Sequence, residues 1–303
     1  MLIKRLLQSW FSKGGRNYPV VHAGQTNRRG VEQLSGSAWL VRGRHGSYVA
    51  SDNDIYIGRA LIRYGEFSEL EWKLLQRYCG AGHTVVEVGA NIGAHTVTLS
   101  KAVGRAGRVI AIEPQPVLFR TLCANLALND LMNTVPHQCG CGSAEGTMSV
   151  PSLDYDSEHN FGGISLEAWD EARPDAAVVV KPLDDLLKAE ARVDLIKIDV
   201  EGMESDVLNG GRVTIDALRP VLYVENDRVP RSKALIETLM AMGYRMWWHA
   251  PPLFNPDNYY GEPSNVYGSV RSFNMLCLHR SCAVPAPPDL VEVTDAGSHP
   301  LSP

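Results

Sequence analysis

From His83 onward the chain repeats one pattern: a short apolar run, a glycine or polar turn, then a stretch with apolar residues at helical spacing. The runs TVVEVG (84–89), RVIAIEP (108–114), VDLIKIDV (193–200) and PVLYVEN (220–226) read as buried strands, and helical patterns follow each of them, at about 94–103, 117–129, 204–209 and 232–243. Consecutive βα units force parallel pairing, because each crossover helix returns the chain to the same edge, and they put helices on both faces of the sheet. Further strands are expected at 134–139, 244–249 and 272–279, and a short helix at 183–188. The last two strands are joined by a loop rich in Pro, Asn and Tyr with no helix, which predicts an antiparallel pair at one edge.

Ahead of this alternation, strand-like pieces at 39–41 and 47–50 and a helical pattern over 66–78 predict a small β-then-α segment. Residues 12–36, rich in Gly, Asn, Arg and Ser, read as a loop. The chain thus divides into a partly irregular N-terminal extension (1–51), a main α/β domain (52–280) and a Pro-rich tail (281–303) that is expected to be disordered.

Composition narrows the function classes. The 303 residues are 45% hydrophobic and 21% charged with a net charge of -5, which fits neither a disordered chain nor a nucleic-acid-binding surface. Six scattered cysteines, several inside apolar runs, suit a reducing, cytoplasmic setting. The one close pair, Cys139-Gly140-Cys141, lacks the spacing of a zinc site, so no metal is assigned. The first eleven residues, MLIKRLLQSWF, are too few to span a bilayer and suit a docking helix or a weak peripheral membrane contact.

Strand ends are where sheets of this kind do chemistry. In VVEVGANIGAHT, Gly89 and Gly93 bracket a turn that lets backbone N–H groups approach a ligand at a helix N-terminus. A dinucleotide fingerprint starting at Gly89 would need glycines where the chain has Asn91 and Ala94. Glu113, followed by Pro114, closes the next strand, where an acid can accept from both hydroxyls of a ribose. With Glu87 it gives the site two carboxylates, which suits a cationic ligand without phosphate. S-adenosyl-L-methionine, with a sulfonium, an ammonium and a ribose, has that chemistry.

These stretches, together with NLALN, HNFGG, KPLDDLL, LIKIDVEGMESDVLNGG, RPVLYVEN and SFNMLCL, resemble the FkbM-type S-adenosylmethionine-dependent methyltransferases over about residues 52–280. The resemblance implies a Rossmann-like class I methyltransferase sheet, mostly parallel with an antiparallel C-terminal edge strand. It implies a cofactor floor of Glu87, Gly89, Ala90, Asn91 and Gly93, with His95 and Thr96 nearby and Glu113 and Pro114 at the ribose. Glu87 stands where Asp is common in that family. The implied activity is O-methylation of a hydroxyl on a sugar, glycolipid or secondary metabolite, with a small-molecule or glycan partner.

Methyl transfer to a hydroxyl demands alignment first and proton removal second. Asp199 and Glu201, at the end of LIKIDVEG, are candidates for the base or for orienting the acceptor, and Glu225 with Asn226 on the following strand for binding acceptor hydroxyls. Asp199 and Glu201 could equally cap the next helix, and Lys197 could serve as an ion-pair partner. The two acids could also hold a metal, but the sequence shows no third ligand. Asn160 could reach over the site or simply form a turn. His249 and the aromatics Trp247, Trp248, Tyr259, Tyr260 and Tyr267 could make a sugar platform or pack the core. The rival readings are a NAD-dependent oxidoreductase and a catalytically silent scaffold of a glycan-assembly complex.

Overall fold

The computed structural model describes residues 30–150, 153–163 and 176–301. The helix expected at residues 1–11 and most of the loop after it lie outside them. Strands β1 (Val31–Ser35), β2 (Ala38–Arg42) and β3 (Ser47–Ser51) form an antiparallel meander, followed by helices α1 (Ile57–Tyr64) and α2 (Glu69–Leu75). Then come β4 (Thr84–Val88), α3 (Ala94–Val103), β5 (Arg108–Ile112), α4 (Pro116–Leu128) and β6 (Thr134–His137). Next are β7 (Gly140–Cys141), β8 (Gly146–Val150), β9 (Ala176–Lys181) and α5 (Leu183–Leu187). The second half holds β10 (Leu195–Ile198), α6 (Glu204–Gly210), α7 (Arg212–Leu218), β11 (Val221–Glu225), α8 (Val229–Ala241), β12 (Tyr244–His249), β13 (Asn274–His279) and β14 (Val291–Glu292).

The main sheet runs β14-β12-β13-β11-β10-β4-β5-β6. Strands β6, β5, β4, β10 and β11 pair in parallel, as the βα alternation demands, while β13 runs antiparallel between β11 and β12. The antiparallel end of the sheet is thus made by β13, β12 and the two-residue β14. The order reverses between β4 and β10, which leaves a crevice at their carboxyl ends.

Alternate residues of these strands feed two cores. Val86, Ile110, Ile196, Leu222 and Met275 pack with α5–α8, whereas Val85, Val109, Leu195, Tyr223 and Leu276 pack with Leu74 and Leu75 of α2 and Leu99 of α3. The β1–β3 meander is tied to this domain by Asn125 of α4. Its buried amide accepts from the Val49 N–H (2.6 Å) and donates to the carbonyls of Val49 (3.2 Å) and Ile92 (2.7 Å), pairing β3 as a neighbouring strand would.

Four local expectations change. The described end of the loop expected over 12–36 is strand: Val31–Ser35 form β1, where Val31, Glu32 and Gln33 pair with Val41, Leu40 and Trp39 of β2. The helix predicted over 66–78 is α2 alone, and α1 precedes it; Gly65, at φ 72°, ends α1 by donating its N–H to the Leu61 carbonyl. The helix after β10 is two helices broken at Gly211, and β9 pairs with β7 and β8 in a separate small sheet. The tail expected to be disordered docks instead. β14 pairs with β12, Val293 is buried, and His299 lies edge-on to Trp248 with its Nε2 2.8 Å from the Asn226 carbonyl.

Candidate active site

Turns at the strand ends set the site. Strand β4 ends at Gly89 with φ 88°, and a Cβ there would sit 1.8 Å from the Asp199 carbonyl oxygen, so only glycine lets the ends of β4 and β10 come this close. Asn91 also takes a left-handed conformation, φ 51°. Its N–H donates to Glu113 Oε2 (2.8 Å), and the Gln115 N–H donates to Glu113 Oε1 (2.8 Å). Glu113 therefore knits the turn after β4 to the turn after β5. Each of its oxygens accepts one backbone bond and keeps capacity for another. Burial outweighs these bonds and pushes its carboxyl up to about 7.

A cleft of about 540 Å3, open to solvent, lies at these ends. Its lining includes Gly89, Glu113 and Pro114, then Asp199, Val200 and Glu201, and, from the small sheet and the residue before it, Cys139, Gly140, Cys141 and Met148. Among the described residues that line it there are three carboxylates and no basic side chain. Of the other residues expected in the cofactor floor, Glu87, Ala90, Asn91, Gly93, His95 and Thr96 are not among those lining the cleft. Glu87 accepts from the Thr96 hydroxyl (2.5 Å), and burial, only partly offset by Lys197, pushes it up to about 7. Burial and the Lys197 charge push His95 down to about 3, so its imidazole is neutral; Nε2 lies 3.6 Å from Glu71 Oε2.

Lys197 is the centre of this buried set. It is 2% exposed, sits beside Glu87 in register, and donates from Nζ to Asp199 Oδ2 at 2.7 Å. Burial would raise the Asp199 carboxyl, but the Lys197 ammonium overrides it and holds Asp199 below the usual carboxylate range. Asp199 is thus an anion presented at the cleft with its side chain 37% exposed. Glu201, at φ 58°, turns back toward it and pairs with Arg228. Burial and the neighbouring Asp199 push Glu201 up to about 7. Neither acid caps α6, whose N-cap Met203 makes no side-chain cap bond; Glu204, its first residue, instead accepts from the Gly202 N–H in the turn before it (2.9 Å).

The structure also brings Glu225 to this pair: one oxygen each of Asp199, Glu201 and Glu225 lie within 4.8 Å of one another. The third acid that the sequence left unidentified comes from the neighbouring strand β11. Burial, and then Asp199, push the Glu225 carboxyl well above its ordinary range. Asn226, by contrast, points away to Ser232 (2.9 Å), and Asn160 forms a turn by accepting from the N–H groups of Gly162 and Gly163. The aromatic platform does not assemble at the cleft. Trp247 is buried in the core under Arg245, Trp248 meets the tail, and Tyr260 and Tyr267 bond the carbonyls of Arg42 and Tyr56.

Glu71 of α2 was not legible as a site neighbour. It is buried, accepts from the hydroxyls of Ser272 (2.7 Å) and Ser68 (3.2 Å), and is held in a raised state by burial against the pull of Lys197. The signal was an acid on the apolar side of a helix whose sheet partner carries a lysine.

Comparison with known proteins places this arrangement. A model described as the methyltransferase FkbM domain matches residues 87–246, more than half of the chain, from Glu87 through β12. The chain belongs to the FkbM methyltransferase family. It is 33% identical over 154 residues to methyltransferase sdnD of Sordaria araneosa and 29% identical over 143 residues to methyltransferase 1 of Beauveria bassiana. Each match covers 42% of this chain, and they span 59% and 57% of the curated relatives' own lengths. Among solved structures it is similar to the methyltransferase FkbM of Methylobacillus flagellatus KT, with a TM-score of 0.42 and 20% identity over 64% of this chain and 43% of that one. It is also similar to Aeropyrum pernix fibrillarin in complex with S-adenosyl-L-methionine, with a TM-score of 0.41 and 15% identity over 80% and 94%. Among the described residues no helix is long and apolar enough to cross a membrane.

Proposed function

We propose that this FkbM methyltransferase uses S-adenosyl-L-methionine to methylate a hydroxyl of a small-molecule acceptor such as a sugar, glycolipid or secondary metabolite. The observation that carries the cofactor reading is the cleft's lining: three carboxylates and no basic residue fit a cationic, phosphate-free ligand and oppose a pyrophosphate. Gly89 and Glu113 are placed to hold the cofactor, Glu113 through the lone pairs left by its backbone bonds. When bound, the cofactor supplies an electrophilic methyl group.

The chain's own part is to orient the acceptor and receive its proton. Asp199, held ionised by Lys197 and exposed in the cleft, orients the hydroxyl. The proton passes to the carboxylate set Asp199, Glu201 and Glu225, in which Glu201, at about 7, is best matched to neutral pH. The test is to incubate the protein with host glycan and lipid extracts and cofactor bearing a deuterated methyl group. Mass spectrometry is expected to find the label on an oxygen; label on nitrogen or carbon, or none at all, would overturn the reading.

A further inference from the structure

Two residues with positive φ follow one another after β10, Glu201 at 58° and Gly202 at 108°. What holds them comes from the start of α8. Arg228, its N-cap, pairs with the Glu201 carboxylate, and Arg231 in its first turn donates from Nη1 to the Gly202 carbonyl (2.5 Å). Arg228 is 41% exposed and also lies 3.4 Å from Asp227. An exposed ion pair of this kind keeps one geometry only where the backbone beneath it is fixed.

That backbone is fastened at Asn226, the buried residue that follows β11. Its N–H donates to the Phe273 carbonyl (2.7 Å), its Nδ2 donates to the Ser232 hydroxyl of α8 (2.9 Å), and its carbonyl accepts from His299 Nε2 (2.8 Å). The third bond comes from the C-terminal tail. A carbonyl can only accept, so Nε2 carries the proton, and Nδ1 accepts from the Leu301 N–H (3.0 Å). His299 is therefore a neutral ring with both nitrogens paired, buried edge-on to Trp248 with ring centroids 4.9 Å apart. The FkbM domain match ends at residue 246, ahead of the whole tail.

We propose that the docked tail is a working part of the active site and that His299 is a positioning residue: its bond to the Asn226 carbonyl fixes the turn 226–228, which carries Arg228 to Glu201. The contacts are contiguous, from the tail to the Asn226 backbone, along the turn and across the ion pair. Release of the carbonyl frees the turn and leaves Glu201 without its cation. Glu201 is faced by Asp199 at the end of β10, Glu204 of α6, Glu225 of β11, and Asp227 and Arg228 of the turn, while Arg231 is directed at the Gly202 carbonyl. Burial and then Asp199 raise the Glu201 carboxyl, with Asp227 and Glu204 adding to them, and Arg228 lowers it. Loss of the Arg228 contact therefore moves Glu201 further up from about 7.

The use made of Glu201 rests on the methyltransferase reading, so the test follows its carboxyl directly and the cofactor separately. The full chain is labelled at the glutamate carboxyl carbons, the signal that Glu201→Gln removes is followed against pH by NMR, and S-adenosylhomocysteine binding is measured by calorimetry. The wild type is expected to titrate at about 7. His299→Asn, too short to reach Asn226 but able to accept from Leu301, is expected to move the midpoint up by about one pH unit, as for a lost ion-pair partner. His299→Ala, read below its melting temperature, is the second variant and is expected to match it. His299→Gln, whose amide donor replaces Nε2, is expected to restore the wild-type midpoint. Arg228→Met is expected to give the rise by itself and to cancel any further effect of His299→Asn. A lowered melting temperature with the midpoint unmoved in both breaking variants overturns the proposal. So does an equal rise in His299→Gln, or a further rise on the Arg228→Met background. S-adenosylhomocysteine binding is expected to be the same in every His299 variant. A midpoint that moves as stated in a chain that binds no S-adenosylhomocysteine keeps the positioning role and overturns the cofactor reading.

Discussion

On the sheet face covered by α5–α8, the central strands present Val86, Ile110, Ile196, Leu222 and Met275, all buried and apolar. One residue along the same strands, the opposite face carries Glu87, Lys197 and Tyr223, with Glu71 and His95 descending on them from α2 and α3. The first face stabilises in proportion to the apolar area removed from water. The second buries charge, which a set of well-packed apolar side chains would match or exceed in stability. Its arrangement is accounted for by what it holds: an ionised Asp199 at the mouth of a cleft.

That contrast can be broken in order of size. Lys197→Met removes the cation shared by Asp199, Glu71 and Glu87 and is expected to cost about 3–5 kcal/mol in a denaturant titration. If the loss is below 1 kcal/mol, the charged face is not organised around Lys197. Asp199→Asn keeps the shape and is expected to lower turnover of the labelled acceptor per folded molecule by about 10^2–10^4-fold, and to lower the folding midpoint as well, because the buried Lys197 ammonium loses its hydrogen-bonded anion. An unchanged rate would remove Asp199 from the chemistry.

A pH series sharpens the comparison further. Turnover is expected to rise with pH through about 7 as Glu201 becomes able to take a proton, and Glu201→Gln is expected to abolish that limb. Stability moves the other way. The folded chain holds the Glu201 proton up to about 7, against an ordinary 4.5, so this group's contribution is fully present below 4.5 and is lost as pH rises through 7. Melting curves of wild type and Glu201→Gln should therefore diverge across that window, the wild type losing stability relative to the variant. The smallest effect belongs to the apolar face: Ile196→Val is expected to cost about 1 kcal/mol and leave turnover per folded molecule unchanged.

The two faces also differed in how far the sequence exposed them. The parallel sheet was legible because strands such as TVVEV and LIKI are apolar runs separated by helical periods. Glu113 and Asp199 were legible as acids at strand ends. Glu225 was legible as a strand end but not as the third member of the acid set, because that meeting depends on the left-handed turn at Glu201, a conformation a glutamate rarely takes. The tail was misread from its prolines; what fixes it is a histidine against Trp248 and a two-residue strand, too short for a periodic signal.

The central claim is that the acidic cleft binds a sulfonium cofactor through Glu113. Calorimetric titration of S-adenosyl-L-methionine into wild type and Glu113→Gln tests it directly. One equivalent is expected to bind the wild type, with affinity about tenfold or more weaker in the variant as a hydrogen bond to a charged group is lost. No binding to the wild type, or equal binding to both proteins, would contradict it.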